Sequence, residues 1–460
     1  MTGERLQGRI GRFQLFALGF GPIIGSAWVV ILGHWLGSAG PGGAVIGFLA
    51  GTAVMLCIAA CYAELTTRTL MTGGEFIFTL SVYGRGVAFI VGWFMMLCWI
   101  CVSIFEALAL AWFVEMLVPA LRRPPLYTLF GAPVTNMQLS IGLMGLLLIG
   151  WVNLRGGRAI ARFQSLFTYG FLLVASLLLL YMLANGSPAH LEPFLPDGGS
   201  VRWWAGAAVI FANAAFLFNG FQTVSQVIEE RAPDLPLRTI GRIMLVVILA
   251  AGVYYCVTVM AASMVAPWQG LADADLAMVT ATALLPGGDI LVPVLLVAVI
   301  LSLIKTWNSV FVMAIRTLVA LGREGMVPRW LAATDGGGTP RMAVLFVATL
   351  NLAGMTLGRG AIGPLVDMSA ASMTLCYVLC CAAVPILRRR DGDCAAYRVP
   401  GGYVTIAAAI LGSVVMMAVA LIGPLIGASS PPLLHILLVA WLGLGLAFWA
   451  VQRRALPGPA

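Results

Sequence analysis

Long apolar runs dominate this 460-residue chain and restrict what it can fold into. Hydrophobic residues make up 61% of the sequence, and charged residues make up only 10%. A water-soluble domain cannot hide so much apolar surface from water, whereas a lipid bilayer accepts it. Runs of about 20 apolar residues are long enough to cross a bilayer as α-helices. The sequence therefore predicts an integral membrane protein that lies largely within the lipid bilayer.

Twelve such runs are separated by breaks that are charged or rich in proline and glycine. In order, these spans are 13–36, 41–65, 86–118, 138–153, 163–185, 203–228, 239–264, 289–321, 341–358, 364–387, 403–426 and 433–452. The predicted fold class is an all-α membrane protein with twelve transmembrane helices.

The basic residues divide unevenly between the two sides of this map. Arg122, Arg123, Arg202 and Arg359 fall on one side, Lys305 falls inside span 8, and the other 21 of the 26 basic residues fall on the opposite side. Basic loops concentrate on the cytoplasmic side of a membrane. Both termini are therefore predicted to be cytoplasmic, in a multi-pass protein of the cytoplasmic membrane. The net charge of +8 follows from this topology, so no nucleic-acid partner is needed to explain it.

Cysteines and histidines favour neither a disulfide framework nor a metal site. Eight of the nine cysteines lie in apolar runs, and His34, His190 and His435 are far apart in the sequence. The external loop 119–137 contains no cysteine, so no disulfide-linked subunit is expected. We expect no cofactor, and either a monomer or a homodimer.

Two spans contain polar residues and glycines that interrupt their apolar character. Span 1 includes GFGPIIGSAW (19–28), and span 6 includes FLFNGFQ (216–222). Proline and glycine weaken helices, and broken backbone persists at membrane depth only within protein or around a cavity. Gly220 lies 195 residues after Gly25, and interruptions at matching places in two halves of a chain indicate a transporter's midplane site. The alternative is that these glycines only allow close helix packing.

Further motifs accompany these interruptions. CYAELTTRTLMTGGEFIFT (61–79) follows span 2, FLFNGFQTVSQVIEE (216–230) ends span 6, and RTLVALGREGMVPRWL (316–331) and YRVPGG (397–402) lie in cytoplasmic loops. Together with GPIIGSAW, they resemble bacterial permeases of the amino acid–polyamine–organocation superfamily. The resemblance covers most of residues 13–402.

That resemblance implies a five-plus-five inverted repeat followed by two further helices. Its parts are a cytoplasmic segment 1–12, a first repeat 13–185, an external loop 186–202, a second repeat 203–387, a cytoplasmic loop 388–402, and helices 11 and 12 with the tail 403–460. It implies secondary transport of an amino acid or a related small amine by alternating access, and no enzymatic activity.

Substrate-binding residues are also implied. The amides of Gly25, Ser26 and Ala27, with the Ser26 hydroxyl, would bind an α-carboxylate, because an unwound helix exposes free N–H groups. The free carbonyls of Ile23, Ile24, Phe216, Leu217 and Asn219, beside Gly220, would bind the α-ammonium. The gating candidates are Trp28, Phe216 and Gln222. Many relatives have an acidic residue at the position of Gln222, so a role in proton sensing is not transferred to it.

The side chains around this site favour a neutral or apolar substrate. Spans 1, 3, 6, 8 and 10 supply mostly Ile, Phe, Met, Trp and small polar residues. Acidic Glu106 in span 3 and Asp367 at the start of span 10 keep a second possibility open, a cationic amino acid or polyamine antiporter. A membrane receptor that binds such a ligand without moving it is a third possibility, but the chain has no long extramembrane domain to transmit a signal.

Lys305, the only lysine in the chain, lies near the middle of span 8. A lone charge at the bilayer centre costs at least ~2.5–3.5 kcal/mol, so a partner is expected. Glu106 lies 199 residues earlier, close to the repeat offset, and is the predicted partner. Some sodium-independent members of the resembled family carry a lysine in span 5, where this chain has Phe171. The hypothesis is that Lys305 replaces that cation, with sodium-independent, proton-coupled or exchange transport. The alternative is a static ion pair.

Four further glutamates lie at or just beyond the cytoplasmic span ends. We expect each to pair with nearby arginines at the membrane interface. They are Glu64, Glu75, Glu229 and Glu230.

Overall fold

The computed structural model describes residues 10–70, 73–155, 160–198, 201–228, 231–335, 339–392, 395–426 and 432–455. Glu229, Glu230 and most of the predicted segment 1–12 lie outside the described residues. All candidate substrate, gating and coupling residues lie within them.

The elements of the first half are mostly helices. They are α1 (Arg12–Ile23), α2 (Ala27–Val30), α3 (Leu32–Thr69), α4 (Gly74–Tyr83), α5 (Arg85–Leu117), β1 (Pro125–Leu129), β2 (Ala132–Thr135), α6 (Asn136–Arg155), α7 (Ile160–Asn185), β3 (Asp197–Gly198) and β4 (Val201–Arg202). Short 3-10 segments lie at Pro119–Leu121 and Pro188–Leu191.

The second half contains eleven described helices. They are α8 (Trp203–Leu217), α9 (Thr223–Gln226), α10 (Leu237–Val265), α11 (Trp268–Ala272), α12 (Ala277–Ala283), α13 (Gly288–Arg323), α14 (Arg329–Ala332), α15 (Arg341–Met355), α16 (Ile362–Asp391), α17 (Tyr403–Ile422) and α18 (Leu433–Ala455). Short 3-10 segments lie at Arg359–Ala361 and Gly423–Leu425.

Ten helical segments in the described part of the chain are long and apolar enough to cross a membrane. Two shorter apolar helices, α8 and α15, fall where spans 6 and 9 were predicted. Each predicted span therefore coincides with helix. The prediction of only helices missed two small antiparallel hairpins, β1–β2 and β3–β4, which lie in the predicted external loops.

Gly40 separates the first two predicted spans within α3. Its φ of 66° and ψ of 175° break the helix, and Pro41 follows directly. A Cβ at Gly40 would lie 2.5 Å from Pro196 Cδ, so glycine is needed both for the conformation and for the space. The expected boundary between residues 36 and 41 is confirmed.

The core is built from long helices in contact. The 33-residue α5 packs along the 36-residue α13, and α3 packs along α8 and α10. Glycines on α3 bring its backbone close to α8: a Cβ at Gly47 would lie 2.7 Å from the Ala207 carbonyl oxygen, and one at Gly51 would lie 2.6 Å from Ala214 Cβ. The backbone of α3 therefore lies directly against α8.

Candidate functional site

The first predicted span is broken between α1 and α2. Pro22 lacks the N–H that would bond the Leu18 carbonyl, and the Thr223 hydroxyl donates to that carbonyl instead, at 2.7 Å. Ile24 takes φ −93° and ψ 78°, which is not helical. The predicted interruption is therefore present at this place.

Side chains satisfy the carbonyl groups that this break frees. In a continuous helix the Gly21 carbonyl would accept from the Gly25 N–H, but here the Lys305 ammonium donates to it at 3.0 Å. The Tyr255 hydroxyl donates to the Ile23 carbonyl at 3.0 Å. The other two donors are Ser302 Oγ to Ile24 O at 3.5 Å and Trp28 Nε1 to Gly25 O at 3.1 Å. The acceptor side of the break is already hydrogen-bonded.

The amide donors of the break have no such partners. The N–H groups of Gly25, Ser26 and Ala27 meet no acceptor among the described residues. Buried N–H groups without acceptors are rare and costly, so these three are the groups that a ligand carboxylate would satisfy. The Ser26 hydroxyl donates to Glu106 Oε2 at 2.6 Å, which places one carboxylate at this position already.

The second break separates α8 from α9. Gly220 has φ 143°, and a Cβ there would lie 2.9 Å from Pro22 Cβ, so the two breaks are in contact. Gln222 Oε1 accepts from the Gly220 N–H at 3.0 Å, and the Gln222 amide donates to Asn219. Asn219 Nδ2 donates to Cys98 Sγ at 2.9 Å. Gln222 thus holds the shape of the second break.

A cavity of about 20 Å³, the space of one water molecule, lies between the two breaks. The rings of Phe105 and Phe216, both of which line it, meet edge to face at 5.6 Å. The cavity is lined by Pro22, Ile23, Gly25, Ser26, Ala27, Trp99, Val102, Phe105, Glu106, Phe216, Leu217, Asn219, Tyr255, Thr306 and Val310. We call it the central cavity. Eight of the predicted residues meet here: Ile23, Gly25, Ser26, Ala27, Glu106, Phe216, Leu217 and Asn219.

Five predicted residues do not line the central cavity: Ile24, Trp28, Gly220, Gln222 and Lys305. Trp28 is fully buried, with its ring centroid 6.2 Å from that of Phe171 and 5.8 Å from that of Tyr254. Trp28 is a predicted gating residue, but its indole packs against α7 and α10 and does not line the central cavity.

Tyr255 is the most informative residue that sequence reasoning missed. Its hydroxyl donates to the carbonyls of Ile23 and Leu217, at 3.0 and 3.1 Å, and so joins the two breaks. The signal was the adjacent pair Tyr254–Tyr255 inside an apolar span, because a buried tyrosine hydroxyl usually has a hydrogen-bond partner. An apolar lining from span 3 was predicted, but its residues Trp99, Val102 and Phe105 were not named, because which of them line the cavity depends on how the helices pack.

Lys305 and Glu106 contact opposite ends of the first break. Lys305 bonds the Gly21 carbonyl, and Glu106 bonds the Ser26 hydroxyl. Within the described ranges, no nitrogen–oxygen distance between the two charged groups is 4.0 Å or less. The predicted direct ion pair is therefore wrong, and both residues act on the broken backbone.

Two larger cavities accompany the central one. The first, of about 750 Å³, lies on the predicted external side and includes His34, Asn213, Arg359 and Asp367 in its lining. The second, of about 320 Å³, lies on the predicted cytoplasmic side and includes Gln226. We call them the outer vestibule and the inner pocket.

Four rings pack between the second break and α4, with centroid distances of 5.3 to 6.2 Å. They belong to Tyr62, Phe78, Phe221 and Tyr377, and we call them the inner aromatic cluster. Since Phe221 is part of the second break and Phe78 belongs to α4, this cluster connects the break to α4.

Glu64 and Glu75, the two described glutamates near predicted cytoplasmic span ends, differ in their partners. Glu64 is buried and paired, with Arg68 Nη2 at 3.0 Å and Arg388 Nη2 at 2.6 Å, so its predicted pairing with arginines is confirmed. Glu75 is fully buried, and neither of its carboxylate oxygens has a hydrogen-bond partner among the described residues. The expectation of an interfacial arginine pair is therefore wrong for Glu75, because α4 turns its first residues inward.

Gly25→Ala is expected to weaken substrate binding about tenfold, equivalent to about 1.4 kcal/mol. The added methyl would lie 3.0 Å from Glu106 Oε1, in the place that we assign to the substrate carboxylate. Ligand-induced thermal stabilisation of the purified variant measures this loss. Gly170→Ala, at a helical glycine with open space around it, is the control. Unchanged affinity of Gly25→Ala would exclude a ligand at this break.

The chain is similar to several known membrane transporters. The profile of the amino acid permease family matches residues 10–446. The branched-chain amino acid permease BcaP of Bacillus subtilis is 26% identical over 419 residues, covering 87% of this chain and 85% of that protein. The methylthioribose transporter of the same organism is 24% identical over 406 residues, covering 85% and 84%. Cationic amino acid transporter 9, chloroplastic, of Arabidopsis thaliana is 28% identical over 339 residues, covering 71% of this chain and 57% of that protein.

Proposed function

This chain belongs to the amino acid permease family and is an amino acid transporter, and we propose that it carries a neutral, apolar amino acid by alternating access around its two breaks. One observation carries the proposal. Gly25, Ser26 and Ala27, whose amide N–H groups have no acceptor among the described residues, line the central cavity together with Leu217 and Asn219. Donors on one side and acceptors on the other suit the carboxylate and ammonium of one zwitterion.

The ammonium is assigned to the carbonyls of Ile23 and Leu217. The single proton of the Tyr255 hydroxyl is shared between these two carbonyls, and a carbonyl oxygen has a second lone pair. The Tyr255 hydroxyl therefore fixes their separation and leaves them able to accept from the substrate. Phe216 and Phe105, whose rings meet beside the central cavity, are assigned as the gate towards the outer vestibule.

The apolar lining favours a branched or otherwise apolar side chain. Val102, Phe105, Leu217 and Val310 line the central cavity. The branched-chain permease with which the chain shares most of its length supports the same substrate class. The second candidate is a cationic amino acid or polyamine, which Glu106 would attract. It is weaker because the Glu106 carboxylate already accepts from Ser26.

Proton coupling is assigned to Glu106. Its carboxylate bonds the hydroxyl that the substrate carboxylate would use, and two ionised carboxylates this close repel each other. Substrate therefore binds best when Glu106 has taken up a proton. Lys305, fixed on the Gly21 carbonyl, supplies positive charge at the end of α1, and this supports transport that needs no sodium.

The topology assigned to this transporter has twelve spans, with both termini on the cytoplasmic side of the cytoplasmic membrane. Repeats 13–185 and 203–387 are supported by the matching breaks and by the two long helices α5 and α13. Helix α4 follows α3, and helices α11 and α12 follow α10, as expected for two inverted halves. A monomer or a homodimer is compatible with this arrangement.

Uptake of radiolabelled leucine into liposomes containing the purified protein tests the proposal. We expect saturable uptake that neutral apolar amino acids compete for, that choline in place of sodium does not change, and that external acid stimulates. Liposomes without protein are the control. Competition by arginine and putrescine alone would establish the cationic alternative. Failure of every amino acid to enter would refute the assignment of the central cavity.

A further inference from the structure

Glu75 presents an electrostatic anomaly outside the substrate site. It lies in the first turn of α4, is 0% exposed, and neither carboxylate oxygen has a hydrogen-bond partner among the described residues. An ionised carboxylate in such a place would cost several kcal/mol. Buried acids without partners instead hold a proton.

Among the described residues, the groups that face Glu75 come from every helix packed against α4, and all of them are uncharged near neutral pH. They are Tyr62 on α3, Cys98 on α5, Cys376, Tyr377 and Cys380 on α16, and Gln226 on α9. The hydroxyls of Tyr62 and Tyr377 also lack partners in the described part of the chain. No cation in the described ranges forms an ion pair with Glu75, and the nearby Glu64 takes Arg68 and Arg388. The surroundings of Glu75 are therefore built for its neutral form.

The position of Glu75 connects it to the moving part of the site. A Cβ on its neighbour Gly74 would lie 3.4 Å from Gln226 Cγ, so the first turn of α4 rests on α9. Gln226 also lines the inner pocket. Two rings of the inner aromatic cluster, Tyr62 and Tyr377, carry the hydroxyls beside Glu75. Any separation of α9 from α4 would bring water from the inner pocket to this carboxyl group.

We propose that Glu75 is a proton-binding site of the inner gate, protonated while α4, α9 and the inner aromatic cluster are closed. When they separate, the carboxyl O–H bond breaks, the proton passes to water on the cytoplasmic side, and the hydrated carboxylate remains. The inference rests on the alternating access proposed above and adds a second proton site to it. Protonation of Glu106 is coupled to substrate binding, and protonation of Glu75 is coupled to the pH of the cytoplasm.

The direction of the effect follows from burial. Burial raises the pKa of Glu75 to about 7. In the open, hydrated gate the pKa returns towards its ordinary value of about 4.3. Between these values the closed state binds more protons than the open one, so acid favours closure. The proton's contribution to closure is lost as the cytoplasmic pH rises through about 7.

Uptake by inside-out membrane vesicles, whose cytoplasmic face meets the bath, tests this site. As the bath pH falls from 8 to 6, the wild-type rate is expected to fall about tenfold, following the ionised fraction of an acid with a midpoint near 7. Glu75→Gln, which mimics the protonated acid, should be slow and independent of bath pH. In right-side-out vesicles with a fixed lumen pH, both proteins should respond alike to the bath, because that response belongs to Glu106. Glu115→Gln is the matched control, since Glu115 is also a buried carboxylate but accepts hydrogen bonds from Thr135 and Gln138.

Infrared spectroscopy of the purified protein tests proton binding without transport. The wild type should show a carboxylic-acid band at pH 6 that fades by pH 8, and Glu75→Gln should lack it. If the band is present but no amino acid is transported, the proposed function fails while the proton site stands. A pH-dependent cytoplasmic response retained in Glu75→Gln would overturn the inference. So would the absence of the band together with stabilisation of the protein by sodium, which would indicate a metal cation at this place.

Discussion

Lys305→Ala should reduce uptake about 5- to 150-fold while leaving the protein folded. The Lys305 ammonium is the donor to the Gly21 carbonyl, whose helical partner is lost at the break. Leaving a buried acceptor unsatisfied costs about 1–3 kcal/mol, which corresponds to roughly a 5- to 150-fold change in the population of the affected state. The unsatisfied carbonyl destabilises the arrangement of α1 that the substrate needs for binding. Radiolabelled uptake by reconstituted protein measures it.

Lys305→Gln distinguishes the contribution of the hydrogen bond to the Gly21 carbonyl from that of the positive charge of Lys305. If the bond to Gly21 suffices, the amide restores much of the uptake; if positive charge is required, as we propose, it does not. Ser309→Ala, one turn further along α13, controls for disturbance of that helix, because its hydroxyl donates to the Lys305 carbonyl oxygen within the helix. Near-normal uptake by Lys305→Ala with an intact pH dependence would remove Lys305 from the coupling mechanism.

The largest loss of stability is expected for Glu64→Gln. Glu64 is 0% exposed and accepts from Arg68, from Arg388 at 2.6 and 2.8 Å, and from the Val399 N–H at 2.9 Å. Removing one partner of a buried ion pair costs about 3–5 kcal/mol, because the remaining charges stay buried without compensation. Thermal unfolding of the purified variant should therefore begin at a clearly lower temperature than that of the wild type.

An exposed pair provides the comparison for Glu64. Glu324 lies 3.9 Å from Arg85, and both side chains are nearly half exposed, so Glu324→Gln should change the unfolding free energy by at most about 1 kcal/mol. Adding Arg388→Met to Glu64→Gln should recover part of the loss, since it removes one of the stranded cations. Equal effects of Glu64→Gln and Glu324→Gln would mean that the buried cluster is not structural.

The predicted spans and breaks were accessible from sequence because their causes are local. A bilayer requires apolar runs of a fixed length, so the ten long apolar helices of the described part of the chain could be located from hydropathy alone. Pro22 and Gly220 disturb helices through their own backbone chemistry, and the helices break beside them. The boundary at Gly40 was accessible for the same reason, because that glycine and the following Pro41 break the helix through their own backbone chemistry.

What sequence reasoning missed depends on tertiary packing. Glu64 and Glu75 lie at or just beyond the predicted cytoplasmic end of an apolar run, yet Glu64 contacts two arginines and Glu75 faces uncharged groups. Only the orientation of α4 distinguishes them. Likewise, the sequence placed Lys305 and Glu106 at related positions, but it could not reveal that each would bond a different end of the same break.

The glycine contacts of α3 have a mechanical consequence. Because Gly47 and Gly51 leave no room for a side chain between α3 and α8, sliding one helix along the other by one residue would drive a Cβ into backbone or methyl groups. Shear between these helices is therefore blocked. During a cycle α3 and α8 should tilt as one rigid body against α5 and α13, with bending confined to the connections at their ends.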